Sequence, residues 1–397
     1  MPPVVRRLLW VRGLRGFADG YVSLLLPVYL ISLGMSPFQV GAIATATLLG
    51  SGTLTLLVGL QAHHFRYRTL LLSAALLMAM TGIGFATVTD FWPLLAIAFV
   101  GTLNPSSGDV SVFLPLEHAL MSGVVKDNQR TAVFARYGLT GSLVAAAGAL
   151  FSGFPELLAT KTDIGTKTAL QAMFVLYAAL GIAAGLIYRT LPKEPRTEGV
   201  KTRVALTKSK KMVYTLAALF SIDSFGGGLA LESMIVLWLY QRFELSMAVA
   251  GTIFFCTGIL AAFSYLVAVR IARRIGLVNT MVFTHLPSSV FLILVPFMPS
   301  LGWAIALLLA RSALSQMDVP TRNSYVMAIV PPEERAAAAS VTAVPRSLAS
   351  AAGPVLAGYL LSVSGFGWPL VVAGSLKIVY DLLLLRTCRN VHPPEEM

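Results

Sequence analysis

Charge is scarce in this chain. Asp, Glu, Lys and Arg together make up 12% of its 397 residues, whereas soluble domains average about 25%, so a water-soluble globular fold is excluded. Cysteine is scarcer still. Cys256 and Cys388 lie in or beside different apolar runs, so no disulfide framework is expected and both read as packed thiols. Chemistry-bearing motifs are also missing. No Walker loop, dinucleotide-binding strand–helix unit, HExxH helix or nucleophile elbow occurs, which argues against an ATP-driven pump and against an enzyme of those classes. His285 has acids for company in the sequence, yet no His or Cys pair has ligand spacing, so neither a metal nor another cofactor is expected.

What the chain has is apolar length. Hydrophobic residues make up 56% of it, and the run LLLSAALLMAMTGIGFATV at 70–88 carries no charge. About twenty such residues cross a hydrocarbon core as a helix. Twelve runs of this kind are expected, at 12–33, 38–62, 68–88, 92–122, 130–153, 167–190, 210–240, 245–271, 277–297, 300–329, 336–362 and 366–388. The first has basic flanks and no small-residue cleavage site, so it reads as a retained helix.

The net charge of +12 raises nucleic acid as a partner, but its placement argues otherwise. If the runs alternate in direction, 24 of the 30 Lys and Arg residues fall on one side of the membrane. The positive-inside rule then makes both termini and the 191–210 linker cytoplasmic. The linker sequence KTRVALTKSKK reads as an inner-leaflet contact. The expected location is a multi-pass position in the inner (cytoplasmic) membrane.

The two sides of the linker repeat each other. MSPFQVG at 35–41 matches LSMAVAG at 245–251, and HHFRYR at 63–68 falls on RRIGLV at the same offset. KDNQR at 126–130 precedes an Ala/Gly-rich run, as PPEER does at 331–335; Gly148 and Gly153 then fall on Gly353 and Gly358. Domains are accordingly expected at 1–190 and 211–397, joined by the basic linker 191–210.

Two like-oriented halves of six spans resemble the major facilitator superfamily over essentially the whole chain, and PPEERAAA at 331–338 looks like that superfamily's turn between the fourth and fifth spans of a half. The resemblance implies an all-α membrane protein: twelve transmembrane helices in two pseudo-symmetric six-helix bundles around a central cavity. Spans 1, 4, 7 and 10 would line that cavity, and the bundles would rock to open it to either side. Two motifs depart from the pattern. Where the superfamily usually has G-x-x-x-D-R-x-G-R-R, residues 59–68 read GLQAHHFRYR, with His63 and His64 in place of Asp-Arg, so the usual charge latch is not carried over. The G-x-x-x-G-P motif of drug/proton antiporters is absent from the fifth span, where Ala149 follows Gly148.

An ionised side chain at mid-bilayer costs at least about 2.5–3.5 kcal/mol, so one that is retained faces a cavity or a partner. Four acids fall on the spans that the resemblance assigns to the cavity: Asp19, Asp109, Asp223 and Asp318. Asp109 and Asp318 match through SSGDV and SQMDV, and Asp19 roughly matches Asp223. Structural pairings compete with a pathway role. Asp318 and Arg322 are spaced i, i+4, Asp19 has Arg15 one turn back, and Asp223 has Arg311 or Arg346 as potential partners. Lys377 and Asp381 read as a structural i, i+4 pair in the peripheral twelfth span.

Asn104-Pro105 with Gly108 reads as a kink that turns Asp109 inward. Gly226-Gly227-Gly228 reads either as a hinge that brings Glu232 to the cavity wall or as close helix packing. Tyr21 and Tyr325 are candidates to stack on a ligand. The reading as a whole is a non-enzymatic secondary transporter that moves a small organic solute by alternating access, as proton-coupled export, and acts as a monomer in the bilayer. An uncoupled facilitator or ion/lipid transporter of the same fold, and a non-transporting receptor, are the alternatives.

Overall fold

The structure is a computed structural model that describes residues 2–61, 65–106, 111–125, 127–192, 207, 209–331 and 334–388. Among the described residues all regular structure is helical. The first half forms α1 (Pro3–Ser32), α2 (Pro37–Gln61), α3 (Tyr67–Thr87), α4 (Phe91–Val100), α5 (Phe113–Val124), α6 (Asp127–Phe151), α7 (Phe154–Lys161) and α8 (Thr166–Arg189). The second forms α9 (Lys210–Leu229), α10 (Glu232–Phe243), α11 (Met247–Ile275), α12 (Leu277–Leu294), α13 (Leu301–Ser315), α14 (Asp318–Ile329), α15 (Arg335–Val363) and α16 (Trp368–Cys388).

Length and apolarity mark nine membrane-crossing candidates among the described residues, three fewer than the twelve runs expected. Two of the missing three are broken. The run at 92–122 divides into α4 and α5, and the run at 300–329 divides into α13 and α14, leaving pieces too short to cross alone. The third, α15, is long enough but rich in Ala and Ser, with Arg346 inside it. The run at 210–240 also breaks, at Ala230 and Leu231 between α9 and α10.

By packing, the chain falls into two compact units. Met1–Gly199 with Glu232–Phe255 form one, and Val200–Leu231 with Cys256–Met397 form the other. In the first, α1 lies along α6 and α3 along α8; α10 packs on α1 and α2. In the second, α9 lies along α15 and α12 along α16. Each unit therefore sets its first expected span on its fifth and its third on its sixth, which is the repeat read from the sequence, now expressed as packing.

Small residues make the crossing between first and fifth spans possible, because only a missing side chain lets two backbones approach so closely. A Cβ on Gly148 would lie 2.1 Å from the Phe17 carbonyl oxygen. Its repeat mate Gly353 would place one 2.3 Å from the Gly228 carbonyl carbon. Gly52 in α2, by contrast, has open space around its Cβ position. Gly353→Ala is expected to lower stability by about 1–3 kcal/mol through forced separation of α9 and α15. Gly52→Ala is expected to raise it by about 0.5–1 kcal/mol through helix propensity. Unfolding of the purified protein in detergent checks both, and shifts of the same sign at the two positions would contradict the close crossing.

The PPEER stretch also has a structural use. The Glu334 carboxylate, just ahead of α15, accepts hydrogen bonds from the Thr207 amide at 3.0 Å, the Thr207 hydroxyl at 2.7 Å and the Ser209 amide at 3.1 Å, and from the Ser209 hydroxyl. One acid thus ties the end of the basic linker to the turn between α14 and α15, since a carboxylate can accept several donors at once.

Candidate functional site

Each unit buries a cluster of charged side chains. In the first unit, Arg15 of α1 and Glu117 of α5 form an ion pair 2.5 Å long. The guanidinium also donates to the Tyr137 hydroxyl at 3.0 Å and to Ser111 Oγ at 3.2 Å, and it lies 4.2 Å above the Phe113 ring. Glu117 is wholly buried, and its carboxylate accepts from Tyr188 of α8 at 2.6 Å and from Tyr137 of α6. Four helices are therefore joined through one carboxylate, whose charge is met by Arg15 and two hydroxyl donors. Arg12, one turn earlier on α1, covers the Tyr137 ring at 5.2 Å.

In the second unit, Asp223 of α9 is the centre. Its Oδ1 accepts from the Lys377 ammonium of α16 at 2.7 Å, and its Oδ2 accepts from Arg322 of α14 at 3.1 Å. Arg322 Nη1 also lies 3.1 Å from Asp318 Oδ2, one turn back on α14. His285 of α12 places Nδ1 3.0 and 3.1 Å from the two carboxylate oxygens of Asp381, while its Nε2 is 3.6 Å from Asp223 Oδ1. Tyr380 closes the cluster with its ring edge-on to His285 at 5.9 Å, and its buried hydroxyl has no hydrogen-bond partner among the described residues.

The expected site residues divide among these settings. Asp223, Asp318 and Arg322 come together as described, and Arg346 of α15 is near enough for the charges of Asp223 and Asp318 to act on it. Asp19 is buried in α1, where its charge acts on Tyr21 and Tyr177. Tyr21 is fully buried and donates to the Met173 carbonyl at 3.1 Å, which ties α1 to α8. Tyr325 sits in the apolar core of the second unit beside Phe220 and Tyr380. Arg311 is half-buried on α13, and Glu232 opens α10. Asp109 and Gly108 lie outside the described residues, as do His63 and His64.

Three local readings change. The proline kink is a full break, because α4 ends at Val100, ahead of Pro105, and the Asn104 side chain accepts from the Ser106 amide and hydroxyl at 3.1 Å in a turn of its own. Gly226, Gly227 and Gly228 stay inside α9, where a Cβ on Gly228 would lie 2.1 Å from the Ser350 carbonyl oxygen. Those glycines serve packing, and the chain opens two residues later. Lys377 and Asp381 do not pair with each other: the long lysine side chain reaches across to Asp223, which leaves Asp381 to His285.

Sequence reasoning left Glu117, His285, Lys377 and Asp381 out of the site, as it did the buried Arg12, Arg15 and Glu334. Glu117 carried the same signal as Asp109, an acid in an apolar run. Among the described residues no three His, Cys, Asp or Glu side chains converge as metal ligands do.

Comparison with known proteins agrees with this architecture. The sequence matches the Major Facilitator Superfamily over residues 8–313 and again over 218–396. An uncharacterized membrane protein of Saccharomyces cerevisiae is 24% identical, with 95% of this chain and 92% of that one aligned. A bacterial homolog of the human lysosomal transporter Spinster, in an inward-facing and occupied conformation, superposes with a TM-score of 0.77 at 14% identity over 97% of this chain and 96% of its own. The nucleoside transporter NupG superposes with a TM-score of 0.73 at 14% identity, covering 97% and 99%. The second sequence match begins within α9, so the C-terminal half answers to the same family by itself, and the chain belongs to the Major Facilitator Superfamily as a membrane transporter of that type.

Proposed function

We propose that the protein is a secondary active transporter that carries a small organic solute across the cytoplasmic membrane by alternating access and exports it in exchange for protons. One observation carries the reading: the expected fourth span of each half is discontinuous, and in the second half a buried acid begins the second piece. The expected fourth span leaves the helix after Val100 and is non-helical at 101–106, and the expected tenth breaks between α13 and α14, where Asp318 begins the second piece. Interrupted apolar segments at matched positions of a repeat are where secondary transporters build their binding sites. The buried Asp318 there supplies a group that can exchange protons with a pathway.

Proteoliposomes containing the purified protein test this against a panel of small solutes. Solute flux is expected to follow an imposed pH gradient and to fall at least about tenfold in Asp109→Asn, as expected for loss of a charge-dependent step. Flux indifferent to the gradient and to that substitution would reject proton coupling. One observation favours a second reading, that of an uncoupled facilitator or an ion or lipid transporter: Asp223 is already met by Lys377 and Arg322, as a purely structural acid would be. That reading requires flux that depends on membrane potential but not on pH.

A further inference from the structure

The four acids first singled out lie on expected spans 1, 4, 7 and 10. The second unit holds a histidine outside that set, and its surroundings are built around a missing proton. The ring of His285 is fixed by Asp381, whose two oxygens lie 3.0 and 3.1 Å from Nδ1. This makes Nδ1 the N–H donor, because a carboxylate accepts only. In the neutral ring the Nε2 lone pair then points toward Asp223 Oδ1 at 3.6 Å, acceptor against acceptor. A proton on Nε2 turns that contact into a charge-assisted hydrogen bond, and closing the gap to the usual length takes a movement of less than about 1 Å.

The same oxygen, Asp223 Oδ1, holds the Lys377 ammonium at 2.7 Å. An imidazolium at Nε2 and the ammonium therefore compete for one acceptor. Asp223, Asp318 and Asp381 are buried beside Arg322 and Lys377, and Arg346 on α15 lies within reach of the charges of Asp223 and Asp318. The groups facing His285 are Asp223 from α9, Asp318 and Arg322 from α14, and Lys377, Asp381 and Tyr380 from α16. Arg311 on α13 and Arg346 on α15 are half-buried at the edge.

Resting on the transporter reading above, we propose that His285 is the proton-binding residue of the second unit: it takes a proton at Nε2 and, once loaded, displaces Lys377 from Asp223 Oδ1. The Nε2 lone pair forms the new N–H bond as an O–H bond of a hydronium ion breaks and releases water, and Lys377 keeps its charge. Loading therefore frees an ammonium at the foot of α9, the helix that ends at the Ala230–Leu231 break. The device sits on α12 and α16, which correspond to expected spans 9 and 12, outside the spans assigned to the cavity.

The test reads the imidazole directly. Protein labelled with 13C and 15N at its five histidines, in lipid nanodiscs, is followed by NMR across pH, and the His285 signal is identified by its loss in His285→Asn. A reversible change from neutral to charged ring between about pH 5 and 8 is expected. At the pH where about a quarter of the wild-type ring is charged, that share is expected to rise about twofold or more in Lys377→Met and to fall by a similar factor in Asp381→Asn. A ring that stays neutral, or stays charged, throughout that range overturns the proposal, and this result needs only the wild-type protein. Combined with the flux assay, the two ideas separate. A titrating His285 with flux blind to pH rejects proton coupling and keeps the site; pH-driven flux with a silent His285 does the reverse.

Discussion

Glu117→Ala is expected to destabilise the first unit by about 3–5 kcal/mol, the range for breaking a buried ion pair on one side. The substitution removes the carboxylate that pairs with the Arg15 guanidinium and the acceptor of both the Tyr137 and Tyr188 hydroxyls. Arg15 is 2% exposed, so water does not take the lost partner's place, and an uncompensated charge in an apolar setting is the most expensive outcome available. The cation–π contact with Phe113 offsets only about 1–2 kcal/mol of that. Arg15→Met combined with Glu117→Leu is expected to recover most of the stability, because replacing both members of a buried pair with apolar residues of similar volume is often near neutral. Unfolding in detergent, monitored by intrinsic fluorescence, measures the cycle. If the double variant is as unstable as Glu117→Ala, the ion pair is not what holds α1, α5, α6 and α8 together.

The contrast between the two clusters shows how far the sequence could be read. Apolar runs of about twenty residues are visible because a bilayer imposes their length, and the repeat is visible because Gly148 and Gly353 keep the same task in each unit. The breaks were harder. Pro105 marked the right region, but helix α4 ends ahead of it at Val100, since tertiary contacts, and not the proline alone, decide where a helix stops. The break at Gln316 and Met317 carries neither Gly nor Pro itself, and its signature is the helix-start pair Asp318 and Pro320 just after it. Gly226 to Gly228 read equally as a hinge or as close packing, and the neighbouring backbone of α15 needs Gly228 small inside an intact helix. Pairing showed the same limit. The i, i+4 rule found Asp318 with Arg322 and failed for Lys377 with Asp381, because two charges on one helix do not reveal a third that a long side chain can reach on another. Glu117 was legible as an acid in an apolar run, but its partner is 102 positions away, and no local rule spans that distance.

Asp223→Ala is expected to be the most damaging single substitution in the second unit, at about 3–5 kcal/mol. Arg322 keeps Asp318 at 3.1 Å when Asp223 is lost, so its charge is still met. Lys377 loses its ion pair, because among the described residues both of its hydrogen bonds go to Asp223, one to the carboxylate and a longer one of 3.4 Å to the backbone carbonyl, and only the longer one survives. The damage should therefore run through Lys377, and the rescue is specific: Asp223→Ala with Lys377→Met is expected to regain at least about half of the loss, whereas Asp223→Ala with Arg322→Met is expected to be no better than Asp223→Ala, since the second change would orphan Asp318 as well. Midpoints from thermal unfolding of the three variants decide it. Equal rescue by both second substitutions would mean that Asp223 serves a diffuse field of positive charge; rescue by Lys377→Met alone would identify the α9–α16 contact as the one that the buried aspartate is there to make.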